Sequence, residues 1–117
     1  MKIIIRNSAV EFQNYEPLLN AELTFNSASW QYLDLNGVVS RMDTVTTIAE
    51  IPDGTTLTGI QVKPYINGSV LNAPIFLSNK YNESAQTTSY NENDITQVGV
   101  FVRAESYPVT LRVKMEK

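Results

Sequence analysis

Apolar and polar residues alternate with a period of two along much of this 117-residue chain. The clearest segment is residues 109–116, where Val109, Leu111, Val113 and Met115 alternate with polar residues. Successive side chains of a β-strand point to opposite faces, so this pattern predicts a strand with one buried face.

Two further segments show the same alternation. Residues 95–104 place valines on one face, with Phe101 and Arg103 on the other, and residues 44–51 predict a shared buried face for Val45, Thr47, Ala49 and Ile51. Only Ser106-Tyr107-Pro108 separates residues 95–104 from the strand that begins at residue 109, and proline is tolerated at a strand start. We therefore expect the last two strands to form a hairpin.

Turn sequences divide the remaining segments. Pro52-Asp53-Gly54-Thr55 predicts a turn because proline presets the first turn position and glycine accepts a positive φ. Asn67-Gly68 is a strong hairpin signal, and Asn36-Gly37 predicts a turn between strands at 29–35 and 38–41. One helical turn is expected within 15–23, with Pro17 early in it.

The other expected strands are short and regularly spaced. They lie at residues 3–6, 10–13, 57–66 and 73–78, and the polar stretch 79–94 is expected to be a long loop or an irregular edge. About eight short strands without a long amphipathic helix indicate an all-β fold. We predict a single antiparallel β-sandwich over residues 1–117, with residues 1–25 as an edge or docking segment.

Composition then narrows the chemistry. The chain has no Cys and no His, which excludes disulfides, thiolate catalysis, a Ser-His-Asp triad and Cys/His zinc sites. Charged residues make up only 18 %, whereas Asn, Thr, Ser and Gln together number 36. This composition describes a neutral surface that is rich in hydrogen-bonding groups.

The charge balance disfavours nucleic acid as a partner. The net charge is −3, and the 9 Lys and Arg residues are scattered, whereas phosphate binding needs a basic surface. No apolar run is long enough for membrane insertion. The N-terminal segment Met1–Asn7 has three isoleucines stopped by Arg6 and Asn7, so we expect no signal peptide and synthesis in the cytoplasm.

Carboxylates are the remaining option for catalysis or metal binding. The candidates are spread along the chain and no pair is marked by its neighbours: Asp34, Asp43, Glu50, Asp53, Glu92 and Asp94. The run 91–94 supplies oxygen ligands but lacks the spacing of a calcium loop. We therefore expect no catalytic residues, no metal and no cofactor.

Aromatic residues are the best candidates for ligand contact. Sugar rings present apolar C–H faces that pack on aromatic rings, and Asn or Gln side chains can bind the hydroxyls. Trp30 and Tyr32 share a strand face, while Tyr81 and Tyr90 lie in the polar stretch and are expected to be exposed. Alternatively, Trp30 covers the core.

The order of segments resembles a known group of proteins. Trp30 opens a strand, another strand runs into Ile51–Thr55, and Ala73–Tyr81 precedes Ile95–Ala104. This arrangement resembles small jelly-roll domains in virion proteins of phages and prophages of gut bacteria, including crAss-like phages, and related carbohydrate-binding-like modules. The resemblance implies a jelly-roll sandwich with a virion or glycan-recognition role, and it implies no catalytic residues.

Two functions are therefore expected. The first is a phage virion structural protein, a capsid-decorating, head-fibre or tail-associated subunit, which assembles with itself and other virion proteins. Its docking residues would be Ile3, Ile5, Phe12 and Tyr15, because an exposed strand edge can extend a neighbouring sheet. The alternative is a carbohydrate-binding module that recognises glycans, such as those of a host surface, through its aromatic residues.

Overall fold

A computed structural model describes residues 2–6, 9–13, 17–41, 43–51, 57–71, 75–77, 83–90 and 94–117. These residues form antiparallel strands and no helix. The strands are β1 (Lys2–Arg6), β2 (Ala9–Gln13), β3 (Leu19–Phe25), β4 (Trp30–Val39), β5 (Val45–Glu50), β6 (Leu57–Ile66), β7 (Ser69–Val70), β8 (Ile75–Leu77), β9 (Glu83–Thr88), β10 (Ile95–Ala104) and β11 (Val109–Glu116).

Two sheets pack face to face, and this confirms the predicted β-sandwich. One sheet has four strands in the order β3-β11-β5-β9, and the other has five in the order β4-β10-β6-β7, with β8 also paired to β6. Most consecutive strands lie in opposite sheets, which is the strand order of a jelly roll. Strands β1 and β2 form a separate two-stranded sheet.

The core lies between the two sheets and contains the predicted apolar positions. Valines 98, 100, 102 and 113 and Met115 have no exposed surface. The predicted face of β5 is also buried, including Thr47. Period-two alternation therefore identified the inner faces of β5, β10 and β11 correctly.

The predicted hairpin between the last two long strands is wrong. Strand β10 lies between β4 and β6, whereas β11 lies between β3 and β5 in the other sheet. Tyr107 lies in the connection that passes from β10 to β11 in the other sheet, and it stabilises this connection. Its hydroxyl donates to the Val102 carbonyl at 3.2 Å and accepts from the Ala104 N–H at 3.1 Å. Both strands bury one face in the same core from opposite sides, so alternation alone does not distinguish the two arrangements.

The predicted turn at Asn36-Gly37 is also wrong, since β4 continues through it to Val39. Asp34 is paired with Gln97 and Val39 with Ile95. Between these two pairs, β4 advances by five residues while β10 advances by two. Gly37 has a φ of 128°, which places the extra residues in a bulge. The Asn67-Gly68 turn is confirmed between β6 and β7, with φ values of 52° and 81°.

Two local expectations need correction. The expected helical turn fails over residues 19–23, which belong to β3, because β11 supplies a strand partner there. Residues 83–88 of the expected loop form β9, the outermost strand beside β5, which agrees with the edge alternative. The predicted turn at 52–55 lies outside the described residues.

Candidate functional site: an outward aromatic face

The outer face of the five-stranded sheet carries a group of aromatic side chains. Residues opposite each other in paired strands lie on the same face, and the register aligns Trp30 with Phe101 and Tyr32 with Gly99. Strand β10 presents its three valines to the core, so these positions face outward. Tyr32 is 52 % exposed, and among the described residues only one other large hydrophobic side chain, Val38, is exposed.

The rings meet in two pairs. The Trp30 and Phe101 ring centroids are 5.3 Å apart, and those of Tyr32 and Tyr65 are 4.6 Å apart. Both separations lie within the range of favourable aromatic contacts. We call the four residues the aromatic face.

Gly99 lies beneath this face and allows the rings to converge. A Cβ atom at this position would lie 3.1 Å from Trp30 Cε3 and 3.3 Å from Tyr32 Cδ1 and Cε1. The reason for glycine here is therefore space beneath the rings, since its backbone has no positive φ. A methyl group at this position would require the Trp30 and Tyr32 rings, both on β4, to shift by a few tenths of an ångström.

Two cationic side chains border the aromatic face. The Lys63 Nζ atom lies 5.5 Å from the Trp30 ring centroid, and the Arg103 Cζ atom lies 6.0 Å from that of Phe101. Both distances are near the usual limit for attraction between a cation and a ring. The face thus combines apolar rings with positive charge.

A polar group marks the other end of the face. Gln97 is aligned with Asp34, and its side-chain Nε2 donates to the Asp34 Oδ1 at 2.5 Å. The register also places Val98 opposite Pro64, so Tyr65 follows beside Gln97. An amide and a carboxylate therefore lie next to the Tyr32–Tyr65 pair.

An open groove of about 370 Å³ extends from the Phe101 end. Arg103 lies directly opposite Gly59, which has no side chain to fill the space. Gln61 and Thr58 complete the polar part of the lining. The groove is a continuation of the aromatic face toward the end of β10.

The structure treats the predicted glycan-binding residues differently. It brings Trp30 and Tyr32 together on one face, and Trp30 packs on outward-facing Phe101. The expectation that Tyr90 is exposed is wrong: it is only 2 % exposed and belongs to the core. Burial raises the pKa of its hydroxyl, which has no hydrogen-bond partner in the part of the chain that the structure describes. Tyr81 lies outside the described residues.

The predicted assembly residues lie near the N-terminus. Ile3 and Ile5 are in β1 and Phe12 is in β2, and the backbone register pairs Ile3 with Phe12. Their side chains and all of Tyr15 lie outside the described part of the structure. The register alone therefore locates these candidates within the two-stranded sheet.

Several predicted carboxylates have structural partners. Glu50 pairs with Lys114 at 2.7 Å, and the Asp94 Oδ1 accepts the backbone N–H of Arg41 at 3.0 Å. The Asp43 carboxylate accepts the backbone N–H of Ser40 at 2.8 Å, and this bond, with help from a nearby lysine, lowers the pKa of Asp43. These contacts give the three side chains local structural roles.

The described part of the chain contains no cluster of three metal-ligating acidic side chains. Asp53 and Glu92, two other carboxylate candidates, lie outside this part of the chain. Within the same part, no helix has the length and apolar character needed to cross a membrane.

Sequence reasoning missed half of the aromatic face. Phe101 was placed correctly on the outer face of its strand, but it was not linked to Trp30. Lys63 and Tyr65 are two residues apart in β6, so alternation places them on the same face of that strand, and this was the only sign of the site in the β6 sequence. Only the strand order shows that β4, β10 and β6 are neighbours, so one strand alone cannot define the site.

Comparisons with protein-family models, curated proteins and solved structures give no match.

Proposed function

We propose that the protein is a non-catalytic carbohydrate-binding module whose ligand lies on the aromatic face. The observation that carries the proposal is the pair of ring contacts on the outside of the sandwich, Trp30 with Phe101 and Tyr32 with Tyr65, in which the Trp30 and Tyr32 rings lie over Gly99. Apolar sugar faces stack on such rings, while sugar hydroxyls bind neighbouring polar groups. Gln61 beside Phe101 and Gln97 beside Tyr65 supply these groups.

The shape of the face favours an extended ligand. A strand rises about 3.4 Å per residue and neighbouring strands are about 4.8 Å apart, so the rows from Phe101 to Gln97 extend about 14 Å along β10. The three strands together are about 10 Å wide on the same geometry. This open area suits several linked sugar units better than a small enclosed metabolite.

The experiment is glycan-array binding followed by titration calorimetry on the ligand found. Tyr32→Ala is expected to weaken binding about tenfold, because an aromatic contact contributes roughly 1 kcal/mol or more beyond its buried area. Val38→Ala is the matched control: Val38 is also on β4 and 43 % exposed, but its position lies in the bulge beyond Asp34. Equal losses in both variants, or none in Tyr32→Ala, would contradict the proposal.

A second proposed function is that of a phage virion structural subunit, which could display the same glycan-binding face. Its support is the resemblance to virion jelly rolls and the separate sheet of β1 and β2. Two-stranded sheets are marginally stable alone, so this pair gains stability from a partner surface. Backbone register pairs Ile3 with Phe12 and Ile5 with Val10, which gathers apolar residues at alternate positions.

Light scattering during size-exclusion chromatography tests the assembly. Ile3→Asp is expected to reduce the oligomer to a monomer, whereas Ile4→Asp, aligned with Glu11, should have a smaller effect. A native protein that remains monomeric at high concentration, and that is missing from purified virions by mass spectrometry, would refute this function.

A further inference from the structure

The charges around the aromatic face identify a narrower class of ligand. We propose that the face binds acidic saccharides, and that Arg103 in the groove receives the carboxylate or sulfate group with Lys63 as a second cation. This inference rests on the proposed carbohydrate-binding function and adds an anionic group to the ligand.

In the described part of the chain, no acidic side chain forms an ion pair with the two cations of this face. Three basic side chains form ion pairs, Arg112 with Glu22, Lys114 with Glu50 and Lys117 with Asp43. Lys63 and Arg103 make no ion pair with any carboxylate in the described part of the chain. In a protein with a net charge of −3, two unpaired cations on one face are a local reversal of charge.

Arg103 is positioned to bind the anionic group of such a ligand. Its guanidinium lines a groove that exists because Gly59, directly opposite, has no side chain. A planar guanidinium can donate two parallel hydrogen bonds to a carboxylate or sulfate. Arg103 is also next to the Phe101 ring, so a sugar on the ring brings its acidic substituent to the groove.

Asp34, an acidic side chain on this face, lies far from Arg103. Asp34 is aligned with Gln97 and accepts its amide hydrogen, six positions along β10 from Arg103. This separation is about 20 Å along the strand. The interaction between two charges weakens with distance, so Asp34 repels an anion at the groove much less than Arg103 attracts it.

The test uses a matched pair of polymers, polygalacturonate and its methyl ester, measured by titration calorimetry at low salt. The acid form is expected to bind at least tenfold more tightly, and added salt should reduce this difference. Arg103→Gln and Lys63→Gln should each weaken binding of the acid form about tenfold and reduce binding of the ester by a smaller factor. Carrageenan and agarose oligosaccharides, a sulfated and a neutral galactan, distinguish sulfate from carboxylate as the preferred anion.

Arg41→Gln is the control, because it removes the same charge beyond the opposite end of β4. Equal binding of acid and neutral polymers would overturn the inference and leave the proposed carbohydrate-binding function intact. If the native protein bound no glycan on the array, both the acidic-saccharide inference and the proposed carbohydrate-binding function would be overturned. Equally tight binding of polyglutamate, or acid binding that Tyr32→Ala leaves unchanged, would show a general polyanion surface and overturn the saccharide assignment.

Discussion

Replacing Thr47 with valine should stabilise this protein. Thr47 lies in β5 between Val45 and Ala49, and all three side chains are fully buried. The Thr47 Oγ1 atom has no hydrogen-bond partner among the described residues, so the fold leaves a hydroxyl without the bonds it makes in water. Valine keeps the β-branched shape and the strand preference, and it removes this polar atom.

The expected gain follows from the cost of an unsatisfied polar group. Such a group destabilises the folded state by about 1–3 kcal/mol when it is buried. The new methyl group would lie at the position aligned with buried Met115, where it replaces the hydroxyl with an apolar contact. We expect the free energy of unfolding to rise by about 1–2 kcal/mol and the melting temperature by roughly 4–8 °C.

Urea denaturation followed by circular dichroism measures this change, and Thr46→Val is the matched control. The Thr46 hydroxyl is bonded to that of Thr87 at 3.0 Å on the outer face, so its loss should be neutral or slightly destabilising. A fall of 1 kcal/mol or more in Thr47→Val would refute the reasoning, because it would mean that the Thr47 hydroxyl is satisfied in solution.

Three further predictions follow. Tyr90→Phe should leave glycan affinity unchanged and raise the free energy of unfolding by about 1 kcal/mol, since it removes a buried hydroxyl without a partner; a large loss in urea denaturation would contradict this. Gly99→Ala should change stability by less than about 1 kcal/mol, because the partly exposed rings can shift and alanine lowers the entropy of the unfolded chain, but it should weaken glycan binding and shift the fluorescence of Trp30. The pKa of Asp43 is lowered by folding, so its stabilising contribution is present above the ordinary carboxyl pKa and lost as pH falls through the lower value of the folded state. The free energy of unfolding, measured by urea denaturation at a series of pH values, should therefore fall less steeply with decreasing pH in Asp43→Asn than in the native protein. Identical pH profiles would argue against the Ser40 contact.

The sequence predicted strand faces well because buried positions alternate along a strand and carry mostly apolar residues. Val45, Thr47 and Ala49 were assigned together to the core, and the outward position of Phe101 was correct. The sandwich class followed from these local patterns. Strand partners did not follow, since β10 and β11 are adjacent in sequence and still belong to different sheets.

The candidate site shows the same division between local and long-range information. Trp30 and Tyr32 were linked because they share β4, whereas Tyr65 and Phe101 reach them only through strand pairing. The polar neighbours of Tyr90 favoured exposure, but its ring enters the core. The composition of neighbouring residues indicates whether a segment as a whole is polar. It does not determine whether one large side chain within the segment is buried or exposed.

The central positions of β10 and β11 have a consequence for synthesis on the ribosome. Strands β4 and β6 meet only through β10, and β3 and β5 meet only through β11. A nascent chain that ends before residue 95 therefore has strands for both sheets but lacks the strand that joins each pair. Unpaired strands of this kind associate readily with other chains, so a delay in translation before β10 should favour aggregation or chaperone binding.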